Sequence, residues 1–218
     1  NASAVGWSMI GVFGLYLVTF AIDSVSWLLA LVSAPTNLRW AWRAFAVRMV
    51  GETYNNIIPA ASMGGEPIKA MLLKRHYAVR YRDSAASLIL AKTINMAGLC
   101  LFLIIGFVLM VETDKLSSAY KHTAGVGLAV MLISTVLFFS IQRSRIGSVA
   151  GGWLGRRTVS EQTSRIVDRI RHMEETLVRF YTVHRARLFG ALALAFINWM
   201  LGVVEIYYVL WLLDAPIS

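Results

Sequence analysis

A single cysteine, Cys100, excludes an internal disulfide and any set of thiolate metal ligands. The histidines His76, His122, His172 and His184 are scattered without metal-ligand spacing, so neither a metal nor a cofactor is expected. Charge is scarce: Asp, Glu, Lys and Arg make up 15% of 218 residues, whereas 57% are hydrophobic and the mean hydropathy is +0.62. A soluble domain of this size cannot cover that much apolar surface with so few charges, which leaves an integral membrane protein. Acidic residues are the scarcer sign, 12 against 21 Lys and Arg, for a formal net charge of +9. The excess is local to certain loops, so it informs orientation and implies no nucleic-acid partner. Of only four prolines, two stand close together, Pro59 and Pro67, amid otherwise apolar sequence. The first residue is Asn and no charged leader region precedes the opening apolar run, as expected of a fragment.

What the chain does have is long apolar runs. Stretches at about 4–32, 84–111, 122–141 and 187–213 can each cross roughly 30 Å of hydrocarbon, which takes about 20 helical residues. Backbone groups cannot stay unpaired in lipid, and these runs lack the alternation of a barrel strand, so helices are expected. The fold class is therefore an all-α polytopic helix bundle, a single membrane domain over 1–218.

Lys and Arg orient it. Arg39, Arg43, Arg48, Lys69, Lys74, Arg75, Arg80 and Arg82 lie between the first and second spans. A second basic set, from Arg143 to Arg185, lies between the third and fourth. The linker between the second and third is short and mixed, with Glu112, Asp114, Lys115 and Lys121. Loops 33–83 and 142–186 are thus expected on the cytoplasmic side of a multi-pass protein of the cytoplasmic (inner) membrane. In the second loop, Thr158 and Glu161 form a capping box. Ile166, Ile170, Met173, Leu177 and Phe180 then recur at helical spacing, with Arg165, Arg169 and Arg171 off that stripe. A basic amphipathic helix is expected over 158–184, lying at the lipid headgroups or against the bundle.

The first cytoplasmic loop holds "NNIIPAASMGGEPIKAMLLKRH", residues 55–76. Residues 38–58 read as a helix too polar to face lipid. Pro59 ends it, because the residue before a proline is pushed out of helical geometry. Gly64 and Gly65 supply a tight turn, and a second helix is expected near Pro67, since proline suits the first helical position. Helix, break, helix over 38–76 is either a re-entrant hairpin or an ordinary cytoplasmic one. Irregular backbone at membrane depth is tolerated where it is buried or lines a wet cavity, and half-helices meeting at a polar break recur in transporters. The free N–H groups opening the second helix, with Lys69 in its first turn, suit an anion such as a phosphate. Glu66 beside them is favoured as a carboxylate by the same dipole.

Ionisable residues within the apolar runs are functional candidates by default. Asp23 and Lys92 lie at similar depth, roughly 14 Å from the cytoplasmic end, and their opposite signs suggest an ion pair. Glu205 lies farther out in the last span and has no evident cation at its depth. Tyr16, Thr19, Asp23 and Ser26 form one polar stripe, Lys92 and Asn95 a second, and Asn198, Gly202 and Glu205 a third. Such stripes face a bundle interior. Either they line a polar path, or they only fix helix register and bond helices together.

"RMVGETYNNIIPAASMGGEPIKAMLLKR", followed by "ASLILAKTIN" and later by "FINWMLGVVEIYYVL", resembles the lysylphosphatidylglycerol synthetase transmembrane family. This is also called the flippase-like domain family, and the likeness is strongest to its stand-alone bacterial branch, which includes hopanoid-cluster membrane proteins. The most specific element is a proline, a short spacer, Gly-Gly-Asp/Glu and a basic residue three positions on: Pro59, Gly64, Gly65, Glu66 and Lys69. Asn55 and Asn56 precede it. The resemblance implies transbilayer movement of a lipid or lipid-linked substrate, without the soluble aminoacyl-transferase that the best-understood members carry. It also implies more transmembrane helices than this chain has. The expected function is a lipid flippase or transporter. Its substrate-binding residues would be Asn55, Asn56, Pro59, Gly64, Gly65, Glu66 and Lys69, and its polar path Asp23, Lys92, Asn95, Asn198 and Glu205. The expected partners are membrane lipids with anionic headgroups, with room for a homo-oligomer. Three other readings stand beside it: a membrane-embedded transferase using Glu52, Glu66 or His76 on a lipid carrier, a non-catalytic scaffold, and a small-solute secondary transporter, which a closed aqueous cavity would favour.

Overall fold

The computed structural model describes residues 2–57, 64–113, 117–143, 175 and 177–213, and six helices are bounded among them. They are α1 (Ala2–Ala30), α2 (Leu38–Ile57), α3 (Gly65–Tyr77), α4 (Tyr81–Glu112), α5 (Ser118–Arg143) and α6 (Arg185–Leu212). Among the described residues, four stretches are long and apolar enough to cross a membrane: Met9–Ala30, Tyr81–Glu112, Ser118–Phe138 and Arg185–Leu212. Each overlaps one of the four apolar runs of the sequence. α1 packs along α6 and against α2, while α4 touches α6, α3, α5 and α1.

Local chemistry sets the helix ends. Asn37 starts α2, its Oδ1 accepting the Trp40 N–H at 2.9 Å. α3 begins at Gly65, so Pro67 is its third residue and not its first. The missing proline N–H does no harm there, because the first four helical N–H groups have no partner within the helix. α3 ends on Ala78 in the left-handed conformation, φ 55°, with the Ala78 N–H bonded to the Leu73 carbonyl.

Helices in hydrocarbon gain little from apolar burial against one another, so close packing and interhelical hydrogen bonds must hold them. Gly98 of α4 meets Ala195 of α6 so closely that an added Cβ would stand 2.9 Å from the alanine Cβ. Ser26 Oγ donates to the Ala191 carbonyl at 3.1 Å, joining α1 to α6. Trp27 Nε1 donates to Ser87 Oγ at 3.2 Å, joining α1 to α4. Trp27 and Leu28 of α1, with Leu31 just past its end, share a buried cluster with Ala44 and Val47 of α2 and Leu73 of α3.

Residues 177–183 are also helical. Leu177 and Phe180 are buried among Leu90, Ile94, Ala191 and Ala195. Tyr181 is pushed up to about 12 by burial, opposed by its hydrogen bond with Thr93 of α4, so it stays neutral across the physiological range. This end of the expected amphipathic helix therefore lies against the bundle. Ile166, Ile170, Met173 and the three off-stripe arginines lie outside the described residues.

Arg187 of α6 reaches across to the end of α1, donating through Nη1 to the Leu31 carbonyl at 3.4 Å and through Nη2 to the Ala34 carbonyl at 3.3 Å. Carbonyls past a helix end lack intrahelical partners, and a cation suits the negative pole there. Arg187→Ala is expected to cost about 1–2 kcal/mol. In detergent, its thermal unfolding midpoint should fall, and Arg187→Lys should recover only part, since an ammonium cannot fork between two carbonyls. An unchanged midpoint in the alanine variant would show that this clamp is idle.

Candidate functional site

Arg48, Glu52 and Asn55 recur at i, i+4 and i+7, which puts all three on one face of α2. Gly51 lies within that face and is buried. A Cβ there would collide with the methylenes of Lys69, and one on Gly65 would run into the Gly51 carbonyl. Two glycines thus allow α2 and α3 to close on each other. At one end of the hairpin, Asn55 Oδ1 accepts the Gly65 N–H at 2.6 Å. At the other, the Arg43 guanidinium lies over the rings of Trp40 and Tyr77, 5.0 and 4.8 Å from their centroids.

Between these ends runs a chain of charges. Asn55 Nδ2 donates to Glu52 Oε2 at 2.9 Å. Lys69 Nζ donates to Glu52 Oε1 at 2.8 Å and to Glu66 Oε1 at 3.4 Å. Glu66 Oε1 also lies 3.3 Å from Lys92 Nζ of α4. Across the hairpin, Arg48 forms an ion pair with Asp23 of α1. Burial alone would raise the Glu52 carboxyl. Hydrogen bonds from Lys69 and Asn55, and the charges of Lys69 and Arg48, outweigh it and hold the group below the usual carboxylate range. Three acids (Asp23, Glu52, Glu66) face three bases (Arg48, Lys69, Lys92), so the cluster is electrically balanced.

Two cavities adjoin the cluster. A recess of about 40 Å³ is lined by Asp23, Arg48, Glu66, Lys69, Lys92 and Asn95, among others. A larger cavity of about 490 Å³ is lined by apolar residues including Pro67, Leu88, Ile89 and Met96, with Glu66 and Lys92 also on its wall. Met96 is 41% exposed and Phe138, which also lines it, 46%, so this cavity opens on the outer face of the bundle. Glu66 and Lys92 belong to both.

The expected site residues fare differently. Asp23, Gly65, Glu66, Lys69, Lys92, Asn55 and Asn95 come together. The expected Asp23–Lys92 pair is not formed: Asp23 bonds Arg48 and Lys92 bonds Glu66. Counting depth along α1 and α4 cannot reveal that the hairpin delivers a counter-charge of its own to each. At the start of α3 the Gly65 N–H, one of the groups expected to meet an outside anion, is taken by Asn55, and the Glu66 carboxylate lies in the first turn. Lys69, its side chain 4% exposed, is fully engaged by Glu52 and Glu66. The cation with room for a ligand is Lys92, whose side chain is 61% exposed.

Gly64 sits at the turn before α3, Asn56 is exposed, and Pro59 lies outside the described residues. Asn198 and Glu205 lie on α6 and line neither cavity. The Asn198 Oδ1 is buried without a hydrogen-bond partner among the described residues. α6 reaches the cluster instead through Trp199 Nε1, which donates to Asn95 Oδ1 at 3.0 Å. His76 is at the far end of α3, its ring beside Tyr77. No group of His, Cys, Asp and Glu able to hold a metal occurs among the described residues. Arg48 and Glu52 were absent from the expected binding set, although their spacing with Asn55 was the available signal.

A family model described as the lysylphosphatidylglycerol synthase TM region matches residues 2–218. A UPF0104 membrane protein from Methanothermobacter thermautotrophicus is 25% identical over 182 residues, covering 80% of this chain and 54% of that protein. The chain therefore spans about half the length of this curated relative. No solved structure matches.

Proposed function

From the premise that the chain is a multi-pass helical membrane protein belonging to the lysylphosphatidylglycerol synthase TM-region family, we propose that it moves an anionic lipid or lipid-linked substrate between the leaflets of the cytoplasmic membrane. The observation that carries this reading is the apolar cavity, open at the bundle surface, with a lysine and a glutamate on its wall. That combination matches an amphiphile: acyl chain against Leu88, Ile89 and Met96, phosphate against Lys92.

In this reading the α2–α3 hairpin is re-entrant. Glu66, at the start of α3, touches Lys92, about 16 Å along α4 from Tyr81. The contact supports placing the start of α3 at the depth of Lys92, on a helix apolar enough to span. Charges at that depth are tolerated because each has a partner. The headgroup enters from the cytoplasmic side, meets Lys92 and follows Asn95 outward toward Asn198 and Glu205, while the acyl chains stay in lipid. Loops 33–83 and 142–186 are cytoplasmic.

The test is leaflet accessibility of a labelled anionic phospholipid in proteoliposomes. Lys92→Met should slow transfer by about tenfold or more, the effect of losing one charge-assisted hydrogen bond. Lys121→Met removes the same charge from a position bonded to the Val111 carbonyl, away from the site, and should leave the rate unchanged. Equal rates in wild type and Lys92→Met would defeat the proposal.

A further inference from the structure

Three helices enclose the apolar cavity: α3 with Pro67 and Ala70 on one side, α4 with Lys92 and Met96 as its floor, and α5 with Phe138 on the other. The face of α4 that carries Lys92 and Met96 continues at the same spacing, i and i+4, to Cys100. There α5 covers it. Cys100 Sγ donates to Thr135 Oγ1 at 3.4 Å, one turn along α5 from Phe138, and both residues are 6% exposed. Farther from the hairpin the seam stays closed, since a Cβ on Gly125 of α5 would stand 3.1 Å from the Phe107 ring of α4. The groove on α4 therefore leaves the cavity and passes beneath α5, and the Cys100–Thr135 contact shuts it.

That closure is weakly held. Thr135 is the only buried residue of α5 among those described, and a thiol is a weak donor. Among the described residues, one other hydrogen bond joins α5 to another element, from Lys121 Nζ to the Val111 carbonyl of α4 at 2.8 Å. It lies where the chain enters α5 from α4. By contrast, Ser26, Trp27 and Trp199 bond α1, α4 and α6 to one another. Apolar contact between helices gives little stabilisation in hydrocarbon. A helix bonded firmly at one end and weakly along its length can pivot about the firm end while its neighbours stay in place.

We propose that α5 is a movable wall of the cavity. Swinging about its Lys121 end, it breaks the Cys100–Thr135 contact and extends the cavity along α4, away from the hairpin, so that a lipid can pass. The proposal rests on the lipid reading above and adds its moving part, a gate of the kind that sequesters and releases a substrate.

The experiment uses the single native cysteine. Thr135→Cys allows one internal disulfide, with Cys100, whose Sγ already faces that position. Copper phenanthroline oxidation of the Thr135→Cys protein in proteoliposomes should slow transfer of a labelled anionic phospholipid by about tenfold or more. Dithiothreitol should restore the rate in the same vesicles, which separates locking from misfolding. Cys100→Ala combined with Thr135→Cys should transfer at one rate before and after oxidation. Equal rates in the locked and reduced protein, with Lys92→Met still slow, overturn the movable wall and leave the lipid reading standing. Failure of the two thiols to cross-link overturns it too, because the seam would not be packed in this way. If the reduced protein moves no lipid, the lipid reading and the movable wall fall together.

Discussion

With alanine in place of Gly65, α2 and α3 can no longer close, and the protein is expected to lose about 3 kcal/mol or more of stability. The added methyl would overlap the Gly51 carbonyl, which is backbone inside a helix and cannot rotate aside. Relief requires the helices to part. Parting them also stretches the Asn55–Gly65 hydrogen bond and draws Lys69 away from Glu52. The measurement is the unfolding midpoint in detergent, together with phospholipid transfer, and both should fall. A Gly65→Ala variant as stable as the wild type would mean that the hairpin is not packed this way.

Gly51→Ala acts by another route, and the difference is testable. Its methyl meets the Lys69 side chain, which can move if it abandons its carboxylates. Gly51→Ala should therefore cost much less when Lys69 is already alanine, whereas Gly65→Ala, whose clash is with the Gly51 backbone, should keep most of its cost in that background. Non-additivity larger in the first pair than in the second is what direct side-chain contact dictates.

Lys69→Met should be almost as severe, at about 3–5 kcal/mol, the range for breaking a buried ion pair from one side. Methionine retains the packing of the aliphatic stem, so the loss reports charge. Lys69 is buried between Glu52 and Glu66, and only Lys92 remains for Glu66 once it is gone. Glu52 then loses the chief partner that keeps it ionised against burial. Adding Glu52→Gln to Lys69→Met should restore part of the stability by removing the stranded charge. A loss below about 1 kcal/mol, the size of a surface pair, would show that the cluster is solvated and not a buried network.

Much of this was legible in the residues. The apolar runs identified the spanning helices, because length and hydropathy decide membrane crossing with little help from tertiary context. Gly64 and Gly65 marked where α3 begins, since glycine acts on the local backbone. Asp23 and Lys92 stood out as charges in apolar surroundings. Their partners did not. Arg48 read as one more cytoplasmic arginine, and Lys69 as an available phosphate ligand. Neither reading paired the charges of residues 38–76 with those of the spans, whereas that segment supplies Arg48 to Asp23 of α1 and Glu66 to Lys92 of α4.

The sequence by itself determined that this is a helical membrane protein with a broken segment and a few costly intramembrane charges, because composition, helical period and proline sterics act locally. Only the tertiary structure decided which charges meet, that Asn55 and Glu66 occupy the start of α3, and that Glu66 and Lys92 stand between a polar recess and an apolar cavity. Those facts depend on how closely two glycines let α2 approach α3, a distance in space that no spacing along the chain encodes.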